Sequence, residues 1–158
     1  MFHPTIIEKR LNFSFVIPGR LAGMAMPGLN NPLEEEVGFL QRQKVKVLLN
    51  LGNMEYFYDD YRRLFQVIDE PIAEFAPPTM QQMEQVLRFF MILDQDVAMG
   101  VHCAGGVGRT GTVLACLYGK VNEICGEAAI RVIRELRPGS IESASQEKFI
   151  MQYLAKGV

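Results

Sequence analysis

Short apolar runs of β-forming residues alternate along this chain with stretches whose apolar positions recur at helical spacing. Phe13-Ser14-Phe15-Val16-Ile17 predicts a first strand, closed by the Pro18-Gly19 turn. Asn31-Pro32 then reads as an N-cap followed by proline at the first helical position, with Glu34, Glu35 and Glu36 in the first turn. That acidic run is expected to be a solvated helix start. Val45–Leu51 is a buried strand by the same criteria, and Leu64–Ile68 a further one. Thr79 and Gln82 have the spacing of a capping box, and Met83, Val86, Leu87, Phe90 and Met91 then form one apolar helical face. Val97–Val101 is the next strand and runs directly into His102-Cys103. A helix rich in small residues follows from about Thr110. Ala129, Val132, Ile133 and Leu136 mark another helix ended by Pro138-Gly139, and Phe149, Ile150, Tyr153 and Leu154 line the last. Strands alternating with helices predict an α/β fold with a largely parallel sheet, whose ligands sit beyond the carboxyl ends of the strands. Cys103 falls at such an end.

Composition narrows the chemistry. The 158 residues suit one compact domain, and 49% hydrophobic with 22% charged residues is ordinary for a globular chain. A formal net charge of −2 and a pI near 5.7 argue against nucleic acid as a partner, since phosphate-backbone binding needs a basic excess. No leader-like start, long apolar span or lipidation box is visible, so no membrane association is expected. Cys103, Cys116 and Cys125 are too few and too scattered for a disulfide framework or zinc site, which points to a reducing cytoplasmic setting with access to the nucleus.

The informative segment is His102-Cys103-Ala104-Gly105-Gly106-Val107-Gly108-Arg109-Thr110-Gly111. Glycines 105, 106 and 108 allow a tight loop with several N–H groups turned inward, and the following helix adds its N-terminal partial positive charge. Ala104, Gly105, Gly106, Val107 and Gly108 would then cradle a phosphate-like dianion, closed by two parallel hydrogen bonds from Arg109. A thiol in that field ionises more readily, making Cys103 a thiolate nucleophile. Thr110 is placed to donate its hydroxyl to the sulfur, and also to cap the helix. His102 is expected to hydrogen-bond backbone around the loop; the other histidine is His3, so neither a metal nor any other cofactor is expected. The neutral loop suits a modestly charged substrate.

HCAGGVGRTG matches the HCxxGxxRTG signature of protein tyrosine phosphatases. NFSFVIPGRLAGMAMP, EFAPPT, GVHCAGGVGRTGTVLAC and RPGSIESASQEKF extend the likeness from about Asn12 to Tyr153, and the chain resembles the small atypical dual-specificity phosphatases of the VHZ type. The resemblance implies a single-domain cysteine-phosphatase fold: a mixed, largely parallel five-stranded sheet flanked by helices on both sides. It also implies a monomeric, metal-independent enzyme that hydrolyses phosphotyrosine, and phosphoserine or phosphothreonine, in proteins or peptides through a cysteinyl-phosphate.

The family's general acid is an aspartate in a PDFxPP-like segment. This chain has Ala73-Glu74-Phe75-Ala76-Pro77-Pro78, which puts Glu74 at that position, with Asp69 and Glu142 as alternative donors. Gln146 resembles the family's glutamine segment, as a residue placing the hydrolytic water or as part of the last helix's first turn. Met26 is either a pocket wall or packing under the loop. Tyr56, Phe57, Tyr58 and Tyr61, interleaved with Asp59 and Asp60, are expected on a surface helix.

Overall fold

The computed structural model describes residues 5–52 and 58–155. Five strands form one sheet: β1 (Ser14–Ile17), β2 (Leu21–Met24), β3 (Val45–Asn50), β4 (Gln66–Asp69) and β5 (Ala98–His102), in the order β1-β2-β5-β3-β4. β1 pairs antiparallel with β2, and every other pairing is parallel. The hairpin β1–β2 turns through Gly19 at φ 69°, a left-handed conformation that glycine adopts without a Cβ penalty. β5 is central and buried along its whole length, as a strand covered on both faces must be.

Helices α1 (Ile6–Leu11), α2 (Leu33–Arg42) and α3 (Tyr58–Leu64) cover one face; α4 (Met80–Ile92), α5 (Gly108–Asn122), α6 (Gly126–Leu136) and α7 (Ala144–Ala155) cover the other. Side chains alternate across a strand, so Leu48 packs with Leu40, Tyr61 and Phe65 while Val47 and Leu49 pack with Met83, Val86 and Phe90. Val45 lies on the opposite face from Val47, two residues on. The register slip between them against β5 accounts for this, since a bulge shifts the side-chain period by one.

The sequence reading of the fold holds in its class, a five-stranded mixed sheet with helices on both sides, with local corrections. β2 was not visible in the hydrophobic pattern: Leu-Ala-Gly-Met is buried at all four positions and therefore shows no alternation. Helix α2 has Pro32 rather than Asn31 as its N-cap and makes no side-chain cap. Its acidic run is not wholly solvated. Glu36 is fully buried and accepts hydrogen bonds from the Gly28 N–H at 2.6 Å, Asn31 Nδ2 at 2.8 Å and the Tyr61 hydroxyl at 2.6 Å. Tyr61 is correspondingly buried rather than on a surface helix face, while Asp59 and Asp60 are exposed as expected. Tyr56, Phe57, the Tyr58 side chain and His3 lie outside the described residues.

Three donors converge on Glu36, two from the loop before α2 and one from α3, and the last of them, Tyr61, is fully buried. A buried donor left without its acceptor costs about 1–3 kcal/mol. Glu36→Ala should therefore lower stability by roughly 3 kcal/mol or more, read as a fall in Tm of about 6–12 °C in calorimetry.

Candidate active site

The loop that follows β5 is shaped by where its carbonyls go. The Ala104 carbonyl accepts from the Met26 N–H at 3.0 Å, and the Gly105 carbonyl from Asn12 Nδ2 at 3.2 Å. The Gly106 carbonyl accepts from Arg137 Nη2 at 2.7 Å, and the Val107 carbonyl from the Gly111 and Ile141 N–H groups at 3.0 and 3.2 Å. With four successive carbonyls bound outward, the intervening N–H groups face the other way. Gly106 makes the reversal at φ 74°, and a Cβ there would run into the Met24 backbone. Helix α5 begins at Gly108, so its N-terminus closes the bowl.

Cys103 lies at the focus of this bowl, 3% exposed. The Thr110 hydroxyl donates to its Sγ at 3.1 Å. Burial raises the thiol, but that hydroxyl and the backbone N–H groups of Thr110, Gly106 and Val107 outweigh it and hold the thiol below its ordinary range.

Beneath the loop lies a residue the sequence reading missed. Arg137, 4% exposed, donates to the carbonyls of Asn12 at 2.8 Å, Gly23 at 2.9 Å and Gly106 at 2.7 Å, and to Ser14 Oγ at 2.7 Å. Among the described residues no carboxylate pairs with it. Burial pushes its guanidinium down to about 10, and the Cys103 charge pulls it back up. At the end of a helix, before Pro138-Gly139, an arginine reads as a solvated partner of the helix dipole, so only its burial reveals it.

The other predicted residues divide. Arg109 stands in the first turn of α5, and its Nη1 donates to the Ile72 carbonyl at 3.0 Å. That bond ties the clamp to the segment carrying Glu74, which is exposed two residues further on. Asp69 accepts from Arg62 at 2.8 Å and Asn50 at 3.0 Å; burial raises its carboxyl, and these two partners outweigh it and hold it low. Glu142 is exposed, with its carboxylate packed so closely on Gly108 that a Cβ there would overlap it. Gln146 is fully buried: Oε1 accepts from the Glu142 and Ser143 N–H groups, and Nε2 donates to the Ala76 carbonyl. Of its two expected roles, the geometry fits the helix first turn. Met26 is 1% exposed, which makes it packing under the loop. Cys103, Cys116 and Cys125 are all free thiols, with burial raising that of Cys116.

A family model matches residues 10–150, and its description is "PTP-SAK: Swiss Army Knife protein, DSP-PTPase phosphatase domain". The chain belongs to this phosphatase-domain family. Similar curated proteins include the dual specificity protein phosphatase CDC14B of Mus musculus, 25% identical over 92% of this chain and 32% of that protein. The protein tyrosine phosphatase domain-containing protein 1 of Danio rerio is 32% identical over 72% of this chain and 14% of its own length. The chain thus spans about a third or less of these relatives. Among solved structures, Tk-PTP in its active form superposes with a TM-score of 0.78 at 25% identity, covering 92% of this chain and 97% of that one. Kinase associated phosphatase shares the fold, with a TM-score of 0.75 at 21% identity over 86% of both chains. The VHZ subtype is not distinguished by these matches. No helix among the described residues is long and apolar enough to cross a membrane.

His102 is fully buried at the end of β5, and burial lowers its imidazole from 6.5 to about 4 against the opposing pull of a hydrogen bond to the Cys103 backbone and the Asp69 charge. The unfolded chain therefore takes up a proton that the folded one refuses as pH falls below about 6.5. Stability is fully present above that pH and should fall by about 2 kcal/mol on reaching pH ~5. Urea titrations of wild type and His102→Asn at the two pH values check this, with the variant losing most of the dependence.

Proposed function

We propose that this chain is a cysteine-dependent protein phosphatase of the small atypical, VHZ-like kind, hydrolysing phosphotyrosine and also phosphoserine and phosphothreonine. The observation that carries the reading is the set of loop N–H groups and the Thr110 hydroxyl converging on a thiol held below its ordinary range. The RPGSIE and AMP stretches support the subtype.

On this reading the phosphate dianion sits among the N–H groups of residues 104–108, with Arg109 making two parallel bonds to its oxygens. The Cys103 thiolate attacks phosphorus and the P–O bond to the side chain breaks. Glu74 donates its proton to the departing oxygen, leaving cysteinyl-phosphate and a carboxylate. That carboxylate then takes a proton from water as the water attacks phosphorus, and the sulfur leaves as thiolate, stabilised by the Thr110 hydroxyl. Inorganic phosphate and the starting enzyme result. The partners of Asp69 favour Glu74 over it as donor, because both Asp69 carboxylate oxygens are already taken, one by Arg62 and one by Asn50. His102, neutral and buried, serves the loop rather than proton transfer.

Hydrolysis of phenyl phosphate should vanish in Cys103→Ser. In Glu74→Gln it should fall by about 10²–10⁴ and lose the descending pH limb, with Glu142→Gln less affected. Phosphopeptide binding without phosphate release by wild type under reducing conditions would overturn the enzyme in favour of a phosphate-binding adaptor. A larger loss in Glu142→Gln than in Glu74→Gln would move the acid to Glu142.

A further inference from the structure

The loop carrying Glu74 has no regular secondary structure, and both Glu74 and Phe75 are exposed. Phe75 nevertheless adopts φ 62°, a left-handed conformation that a bulky aromatic residue avoids unless its neighbours hold it there. Those neighbours lie 68 residues further along the chain: Ser143 Oγ donates to the Phe75 carbonyl at 2.7 Å. Ser145 Oγ approaches the same oxygen at 3.4 Å, and Gln146 Nε2 donates to the Ala76 carbonyl at 3.2 Å.

All three donors belong to the start of α7. Ser143 and Gln146 form a reciprocal capping box there: the Gln146 N–H donates to Ser143 Oγ at 3.2 Å, and the Ser143 N–H to Gln146 Oε1 at 3.1 Å. The box takes a lone pair of the serine on its own helix; its hydroxyl also lies 3.0 Å from Ser145 Oγ, where either serine can donate, and its shortest acceptor is the Phe75 carbonyl at 2.7 Å. On the other side of Glu74, Arg109 Nη1 holds the Ile72 carbonyl at 3.0 Å. Glu74 therefore sits between two backbone anchors, one from the phosphate clamp and one from α7.

We propose that Ser143 is a positioning residue for the general acid, a latch that keeps the Glu74 loop docked against α7 so that the carboxyl is delivered to the leaving oxygen. This rests on the assignment of Glu74 as the acid. The Ser143 hydroxyl has two separable duties, an acceptor for the helix cap and a donor for the latch. An aspartate at this position keeps the acceptor, being a good N-cap, but has no proton to donate and sets a carboxylate against the Phe75 carbonyl. A threonine keeps both. Alanine loses both.

General-acid assistance matters for a poor leaving group and little for one that departs readily as an anion. The test therefore compares kcat on phenyl phosphate with kcat on difluoromethylumbelliferyl phosphate. Ser143→Asp and Ser143→Ala should lose about tenfold or more on phenyl phosphate and stay within about twofold on the other substrate. Ser143→Thr should behave as wild type on both. Ser143→Asp should retain the wild-type Tm, which separates the latch from the cap, and should add no loss in a Glu74→Gln background. Equal losses by Ser143→Asp on both substrates would overturn the proposal, as would none on either while Glu74→Gln is impaired on phenyl phosphate. If Glu74→Gln is itself unimpaired on phenyl phosphate, the acid assignment falls and the latch's role falls with it.

Discussion

A short loop can aim its N–H groups at one point only if its carbonyls are satisfied elsewhere, and this constraint organises the protein around Cys103. The carbonyls of residues 104–107 are taken by Met26 after β2, Asn12 at the end of α1, Arg137 at the end of α6, and Gly111 with Ile141. Each would cost about 1–3 kcal/mol if buried unpaired, so the bowl is stable only while these distant segments stay in register. The hairpin β1–β2 and helix α1 thus serve the site by holding the outer side of the loop. So does the segment after α6, where Ile141 is held at φ 68° while Arg134 donates to the Ser140 and Ile141 carbonyls at 2.9 Å each.

The charge arrangement follows from the same geometry. Arg137 is a buried guanidinium among neutral acceptors; burial lowers it, and the pull of Cys103 acts in the opposite direction. The Cys103 thiol itself is lowered by the Thr110 hydroxyl and the loop N–H groups, against the effect of burial. Glu36, the other fully buried charged side chain, is solved differently: three neutral donors surround it, on the far face of the sheet and within the scaffold rather than the site.

Much of this was legible in the sequence because the local signals are strong. The run from Val97 into His102-Cys103, the loop glycines and the Thr79–Gln82 capping box each depend on near neighbours, and each is found as expected. The choice between Met26 as wall and as packing, and between two roles for Gln146, could not be made from residues alone because both turn on burial. β2 was missed because its wholly buried run shows no alternation, and the buried Glu36 because its neighbours Glu34 and Glu35 are exposed as a solvated helix start would be; Arg137 and Ser143 were missed for one reason. Their roles are set by partners tens of residues away, and a helix-end arginine or an N-cap serine looks the same in sequence whether it faces solvent or another loop. The five-stranded mixed sheet with helices on both sides came from the family likeness; the order of its strands was not read from the sequence at all.

The fold itself, through the loop N–H groups and the Thr110 hydroxyl, holds the Cys103 thiol below its ordinary range. The measurement to make is the thiolate absorbance of the reduced protein in the far ultraviolet, titrated with pH in wild type, Cys103→Ser and Thr110→Val. Wild type should show an inflection below the ordinary thiol range that is absent in Cys103→Ser and displaced upward in Thr110→Val. A Cys103 inflection at the value of a free thiol, or one indifferent to the loss of the Thr110 hydroxyl, would overturn it.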